Sequence, residues 1–124
     1  MNTQTLIDRM MQLPQEIADV QTELLIAGQK AQEISNKISK CETKLRVQIA
    51  SKTDEAGKKL YSNEDARKAV FVEMTEDDLE LNELKEKNQD IETEIQKKKI
   101  DFDCLNNEQK NIRAVLTFLS GKGE

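Results

Sequence analysis

Apolar residues recur at alternating steps of four and three along two long stretches of this chain, and no other feature restricts the fold as much. The first stretch reads Leu6, Met10, Leu13, Ile17, Val20, Leu24, Ala27, Ala31, Ile34, Ile38, Cys41 and Leu45, and Ile49 extends it by a further four. The second reads Leu81, Leu84, Asn88, Ile91, Ile95, Lys98, Phe102, Leu105, Gln109, Ile112, Leu116 and Leu119. A repeat of about 3.5 residues gathers these side chains into one stripe along a helix, whereas a strand needs a period of two. Asn88, Lys98 and Gln109 weaken the second seam and serve to fix register and oligomeric state.

Punctuation between the seams sets the expected boundaries. Pro14 suits a first helical turn and breaks a helix interior. The pattern therefore predicts a short N-terminal helix over 1–13 and a long coiled-coil helix over 14–50. Gly28, flanked by Ala27 and Ala31, either thins the surface for a close helix approach or is merely tolerated. Residues 51–63 carry Thr53, Asp54 and Gly57 without apolar period and read as a connecting loop. Ser62-Asn63-Glu64-Asp65 is a helix-start signal for a second long helix over 64–119. Thr75-Glu76-Asp77-Asp78 is a second such signal. Either the helix kinks near 75, or these acids decorate a continuous helix. Residues 120–124, Ser-Gly-Lys-Gly-Glu, read as a flexible tail.

Two long helices joined by a short loop fold back on one another, so the expected class is all-α, an antiparallel two-helix coiled-coil hairpin. Leu25, Ile26, Val47, Phe71, Val72, Leu79, Ile100, Val115 and Phe118 lie beside the seams. Two helices have too little interior to bury these as well. A homo-oligomer, most simply a dimer forming a four-helix bundle, would cover them; a docking face for another protein is the alternative.

Composition narrows the functional classes. Charged residues make up 35% and aromatics 3%, a mix that suits long helices better than a compact mixed domain. The longest apolar runs have four residues, such as Leu24-Leu25-Ile26-Ala27, so no membrane span is expected. The N-terminus lacks the pattern of a signal peptide, so the expected location is cytoplasmic. Cys41 and Cys104 are too far apart along a hairpin to pair, and neither a disulfide nor a dithiol site is expected.

There is no histidine, no P-loop, no GxGxxG and no nucleophile elbow. We therefore expect no catalytic residues, no cofactor and no metal site. Lys37, Lys40 and Lys44 form a basic stripe, and Lys97-Lys98-Lys99 a short basic run, but interspersed acids and a net charge of −5 argue against nucleic-acid binding. Residues 1–50 carry six acids and six bases, whereas 73–94 carry ten acids and two bases. Glu76, Asp77, Glu80 and Glu83 in that acidic stretch are candidates for docking on a basic partner surface.

The segment from Tyr61 to Met74, followed by an acidic break and a long charged helix, resembles small helical proteins encoded by tailed bacteriophages and prophages. The shared motif is Asn-Glu-x-x-Arg-Lys, here Asn63, Glu64, Arg67 and Lys68, and the resemblance covers residues 61–119. Residue types alone account for the motif as a helix cap, an acidic first turn and a Glu64–Arg67 pair. The resemblance implies host-bacterial cytoplasm and a place near replication and recombination genes. It makes Asn63, Glu64, Arg67 and Lys68 further candidate partner-binding residues. The expected function is a non-enzymatic protein–protein interaction module, a scaffold or adaptor accessory to phage DNA replication or recombination. Alternatives are a phage inhibitor that blocks a host enzyme or defence effector, and a weak nucleic-acid binder. A prefoldin-like chaperone would need β-hairpins between the helices, and 51–62 lacks the alternating β-branched run that makes them.

Overall fold

A computed structural model describes residues 2–122. The chain is all-α: among these residues the regular elements are three helices, α1 (Thr3–Ser51), α2 (Glu64–Asp77) and α3 (Leu79–Lys122). Two compact units divide the chain, a terminal one of Met1–Gln29 with Thr93–Glu124 and a central one of Lys30–Glu92.

In the terminal unit the two seams meet. Leu6, Leu13 and Ile112 are buried against one another, with Met10, Ile17, Leu105 and Leu116 packed around them. Residue numbers fall along α3 as they rise along α1, so the two helices pair antiparallel here. Contacts between neighbouring layers of such a seam are the main source of helix stability in water.

That packing explains why α1 does not break at Pro14, where two helices are expected from the residue type. Pro14 has no N–H to give and is itself exposed. Leu13 beside it is fully buried. Burial of Met10, Leu13 and Ile17 on one side carries the helix through this position, although the Met10 carbonyl gets no N–H from Pro14. Gly28 is exposed and has nothing within 4 Å of where a Cβ would stand, so no helix approaches there. Ala27 is the buried residue of that pair.

In the central unit Leu45, Ile49 and Leu81 are buried, together with Thr75. The Thr75 hydroxyl donates to the Val72 carbonyl at 2.9 Å, so this buried polar group is satisfied inside its own helix. The connection over 52–63 is closed by a tight turn. The Asp54 carboxylate accepts from the Ala56 and Lys58 amides at 2.9 and 3.0 Å, and Gly57 adopts φ 81°, a left-handed conformation that favours glycine. One antiparallel bridge joins Thr53 to Lys59. A single bridge is far short of the hairpin a prefoldin-like subunit would need.

The helix break falls at Asp78, the last residue of the acidic start signal. Asp78 takes φ −78° and ψ 111°, ending α2, and its carboxylate accepts from the Leu81 amide at 2.8 Å to cap α3. The Asn82 side chain donates to the Glu76 carbonyl at 2.8 Å, occupying a carbonyl that the break would otherwise leave bare. Thr75, Glu76 and Asp77 thus belong to α2 and do not begin a helix. At the other end α3 runs through Ser120, Gly121 and Lys122, which were expected in the tail; 123–124 lie outside the described residues.

Candidate protein-interaction site

The Asn-Glu-x-x-Arg-Lys segment forms the first turn and a half of α2. Asn63 is the N-cap: its extended backbone (φ −110°, ψ 160°) stops the loop, and its side chain accepts from the Ala66 amide at 2.7 Å. Glu64 and Asp65 follow in the first turn, where exposed N–H groups favour acids. Glu64 pairs with Lys68 at 3.4 Å, one turn on, rather than with Arg67 as the spacing also allowed. Arg67 turns instead toward the preceding loop and donates to the Tyr61 carbonyl at 3.3 Å. The reason is geometric: Arg67 sits half-buried on the side of α2 that faces the loop, and Lys68 points outward.

Beside this turn lies an open groove of about 390 Å³, lined by Arg46, Ile49, Ala50, Glu64, Arg67, Lys68 and Phe71. Arg46 stands over the Phe71 ring at 4.4 Å from its centre. A guanidinium on an aromatic face is held by the ring quadrupole, so the two residues define one wall together. Three cations against one carboxylate, around an aliphatic floor, make the groove suited to an anionic or amphipathic surface. Phe71 was grouped by sequence with the surplus apolar residues. Arg46 covers it in part, a contact that neither seam periodicity nor charge spacing signals.

The acidic candidates are split between two places. Glu76 and Asp77 occupy the last turn of α2, both exposed. Glu80 and Glu83 lie on α3 and line a second groove of about 420 Å³ with Lys37, Lys40, Cys41, Leu84 and Lys87. Lys37 and Lys40 of the α1 stripe thus share a groove with the acids of α3 within the central unit, and each reduces the field the other could offer a partner. The Cys41 thiol sits among them half-buried. Burial, then Glu80 and Asp78, raise its pKa above the ordinary thiol value, which suppresses the reactive thiolate. Cys104 is exposed, and both thiols are free.

No protein-family model, curated protein or solved structure matches this chain. The residues themselves are thus the basis for any reading of the site. Among the described residues no group of three or more Cys, Asp or Glu is placed to share a metal ion, and no helix is long and apolar enough to cross a membrane.

The terminal unit holds the polar cluster that sequence reading overlooked. Arg9 gives two parallel hydrogen bonds to Glu108, from Nε at 2.7 Å and Nη2 at 2.8 Å, and its Nη1 also reaches Glu16. Bidentate pairing of this kind fixes geometry as well as charge. Those hydrogen bonds hold the Glu108 carboxyl below its ordinary range and raise the Arg9 guanidinium further. Lys98, a polar member of the second seam, donates to Glu23 at 3.0 Å, which raises its own pKa. The signal available in the sequence was positional: Arg9, Glu16 and Glu23 lie seven residues apart, on the flank of the first seam.

Proposed function

We propose that this chain is a non-enzymatic helical interaction module, a scaffold or adaptor that works by binding protein. In this reading it is an antiparallel two-helix coiled-coil hairpin whose copies pair as a dimeric four-helix bundle. Apart from Leu119 both seams are consumed inside the chain: every position from Leu6 to Ile49 on the first is buried or half-buried. The observation that carries the proposal is what remains outside. Met11 is 77% exposed, Leu79 74%, Leu25 63%, Ile100 62% and Val47 61%. Isolated exposed apolar residues are ordinary, but this many on helices whose interior is already filled marks surface that associates.

The resemblance to phage-encoded helical proteins supports a role as an accessory of DNA replication or recombination that acts through a protein. Blocking a host enzyme or defence effector is the second reading, and the cationic groove beside Arg46 and Arg67 favours it where that effector presents an acidic surface. Direct nucleic-acid binding is the weakest reading, because Glu80 and Glu83 face the lysines that would serve it. Light scattering on a size-exclusion column, across a dilution series, tests the association. A mass twice the 14.2 kDa of one chain is expected at the concentrated end. A constant single-chain mass would remove the dimer and leave the apolar surface to a foreign partner.

A further inference from the structure

The outward face of α2 is self-complementary. Lys68, Val72 and Glu76 are spaced four apart, so they form one ridge along the helix. All three are exposed: the Lys68 side chain at 71% and Val72 at 55%, with Glu76 in the same class. The ridge reads cation, aliphatic, anion, and its two charges are equidistant from Val72. Among the described residues the Glu76 carboxylate accepts no hydrogen bond and joins no ion pair; only its backbone carbonyl is used. Lys68 has only the loose one-turn contact to Glu64 at 3.4 Å.

We infer that α2 is the dimer contact, with a second copy of this chain laid antiparallel across it and the two-fold axis passing beside Val72. This rests on the self-association reading above for the dimer itself but gives it a smaller contact than a four-helix bundle: of the exposed apolar residues it covers Val72 and leaves Met11, Leu25 and Ile100 of the terminal unit outside. A two-fold axis brings each residue opposite its counterpart at the same distance on the other side of Val72. Lys68 then faces Glu76 of the second copy, Glu76 faces Lys68, and the two Val72 side chains meet in the middle. Four residues of helix are about 6 Å of axis, so both ion pairs lie within reach of lysine and glutamate side chains around a central apolar contact. A parallel copy would set Lys68 against Lys68 and Glu76 against Glu76, which like-charge repulsion disfavours. Charge complementarity therefore selects both the occupant and its direction. A contact built on one 14-residue helix is small, so the dimer is concentration-dependent and weakens with salt.

The test is a charge-swap cycle on the full chain, read by sedimentation equilibrium at low ionic strength. Lys68→Glu alone and Glu76→Lys alone each place like charges opposite one another twice, and each should raise the dimer dissociation constant by at least about tenfold. The double variant Lys68→Glu/Glu76→Lys restores both pairs with their signs exchanged and should return to within about threefold of the parent chain. Far-ultraviolet circular dichroism confirms that each variant keeps its helices. Should a variant lose them, the parent chain still decides: raising salt from about 50 mM to about 0.5 M must weaken its dimer, and a dimer that salt leaves unchanged or strengthens overturns the inference. A dimer indifferent to the single variants, or one the double variant fails to restore, also overturns the α2 contact while self-association stands. A parent chain that is monomeric throughout overturns both.

Discussion

The two units of this chain use charge in opposite ways. In the terminal unit the principal ion pairs run from helix to helix: Arg9 to Glu108, and Lys98 to Glu23. In the central unit the polar side chains mostly serve the backbone, with Asn63 and Asp78 capping helices and Asp54 closing the turn. Lys68 and Glu76 face outward. One unit spends its charge on internal register, and the other keeps charge available for a second surface. A polar residue in a seam is thus no defect when it has a partner on the facing helix, as Lys98 does.

The comparison can be broken most directly at the apolar centres. Leu13 and Leu81 are both fully buried. Truncation of either to alanine should cost about 2–5 kcal/mol in urea unfolding. Leu13→Ala should also let α1 break at Pro14, seen as a loss of helicity that Leu81→Ala does not cause. If helicity around Pro14 survives Leu13→Ala, burial is not what carries the helix through.

Asp78→Ala removes the cap of α3 and should cost about 1 kcal/mol. Hydrogen exchange should place that loss at 78–82 and leave the Arg9–Glu108 region unchanged. Gly28→Ala has the opposite sign. Gly28 is helical, exposed and unobstructed, so alanine should stabilise the chain by about 0.5–1 kcal/mol.

Acid tests the Arg9–Glu108 pair of the terminal unit. The folded Glu108 carboxyl titrates below its unfolded counterpart because Arg9 donates to it. Its contribution is therefore complete above the unfolded value, and it is lost as pH falls through the folded one. Glu108→Gln should flatten this part of the acid limb of a urea-midpoint series, modestly, because both partners are partly exposed. Lys98 has the reverse sign: its folded pKa is raised, so its contribution holds below the ordinary lysine value and fades as pH climbs through the folded one.

Thiol labelling gives the smallest effect and separates the units chemically. Cys104 should alkylate first and Cys41 slower by roughly tenfold, because Cys41 is half-buried and its thiolate is disfavoured.

Much of this was legible in the sequence, for a definite reason. A seam of twelve or more positions declares a helix and its buried face together, and every predicted seam residue except Leu119 is buried or half-buried. What sequence could not settle was decided by tertiary contact. Pro14 carries a local breaking signal that the packing of Leu13 overrides. The start signal at Thr75–Asp78 was present, but which of its residues caps depends on Asn82 and Leu81 folding back over the break. For the candidate site, the motif from Asn63 to Lys68 was readable as a cap. Its groove was not, because Arg46 and Phe71 come from distant positions with no periodic relation.

The central claim is that α2 carries the self-contact and the terminal unit does not. Amide hydrogen exchange of the full chain, compared between dilute and concentrated samples, tests it most directly, since association protects the segment it buries. The account predicts concentration-dependent slowing centred on Glu64–Asp77, with the amides around Leu6, Leu13 and Ile112 unchanged. Slowing confined to those terminal-unit amides, or no dependence on concentration anywhere, would contradict it.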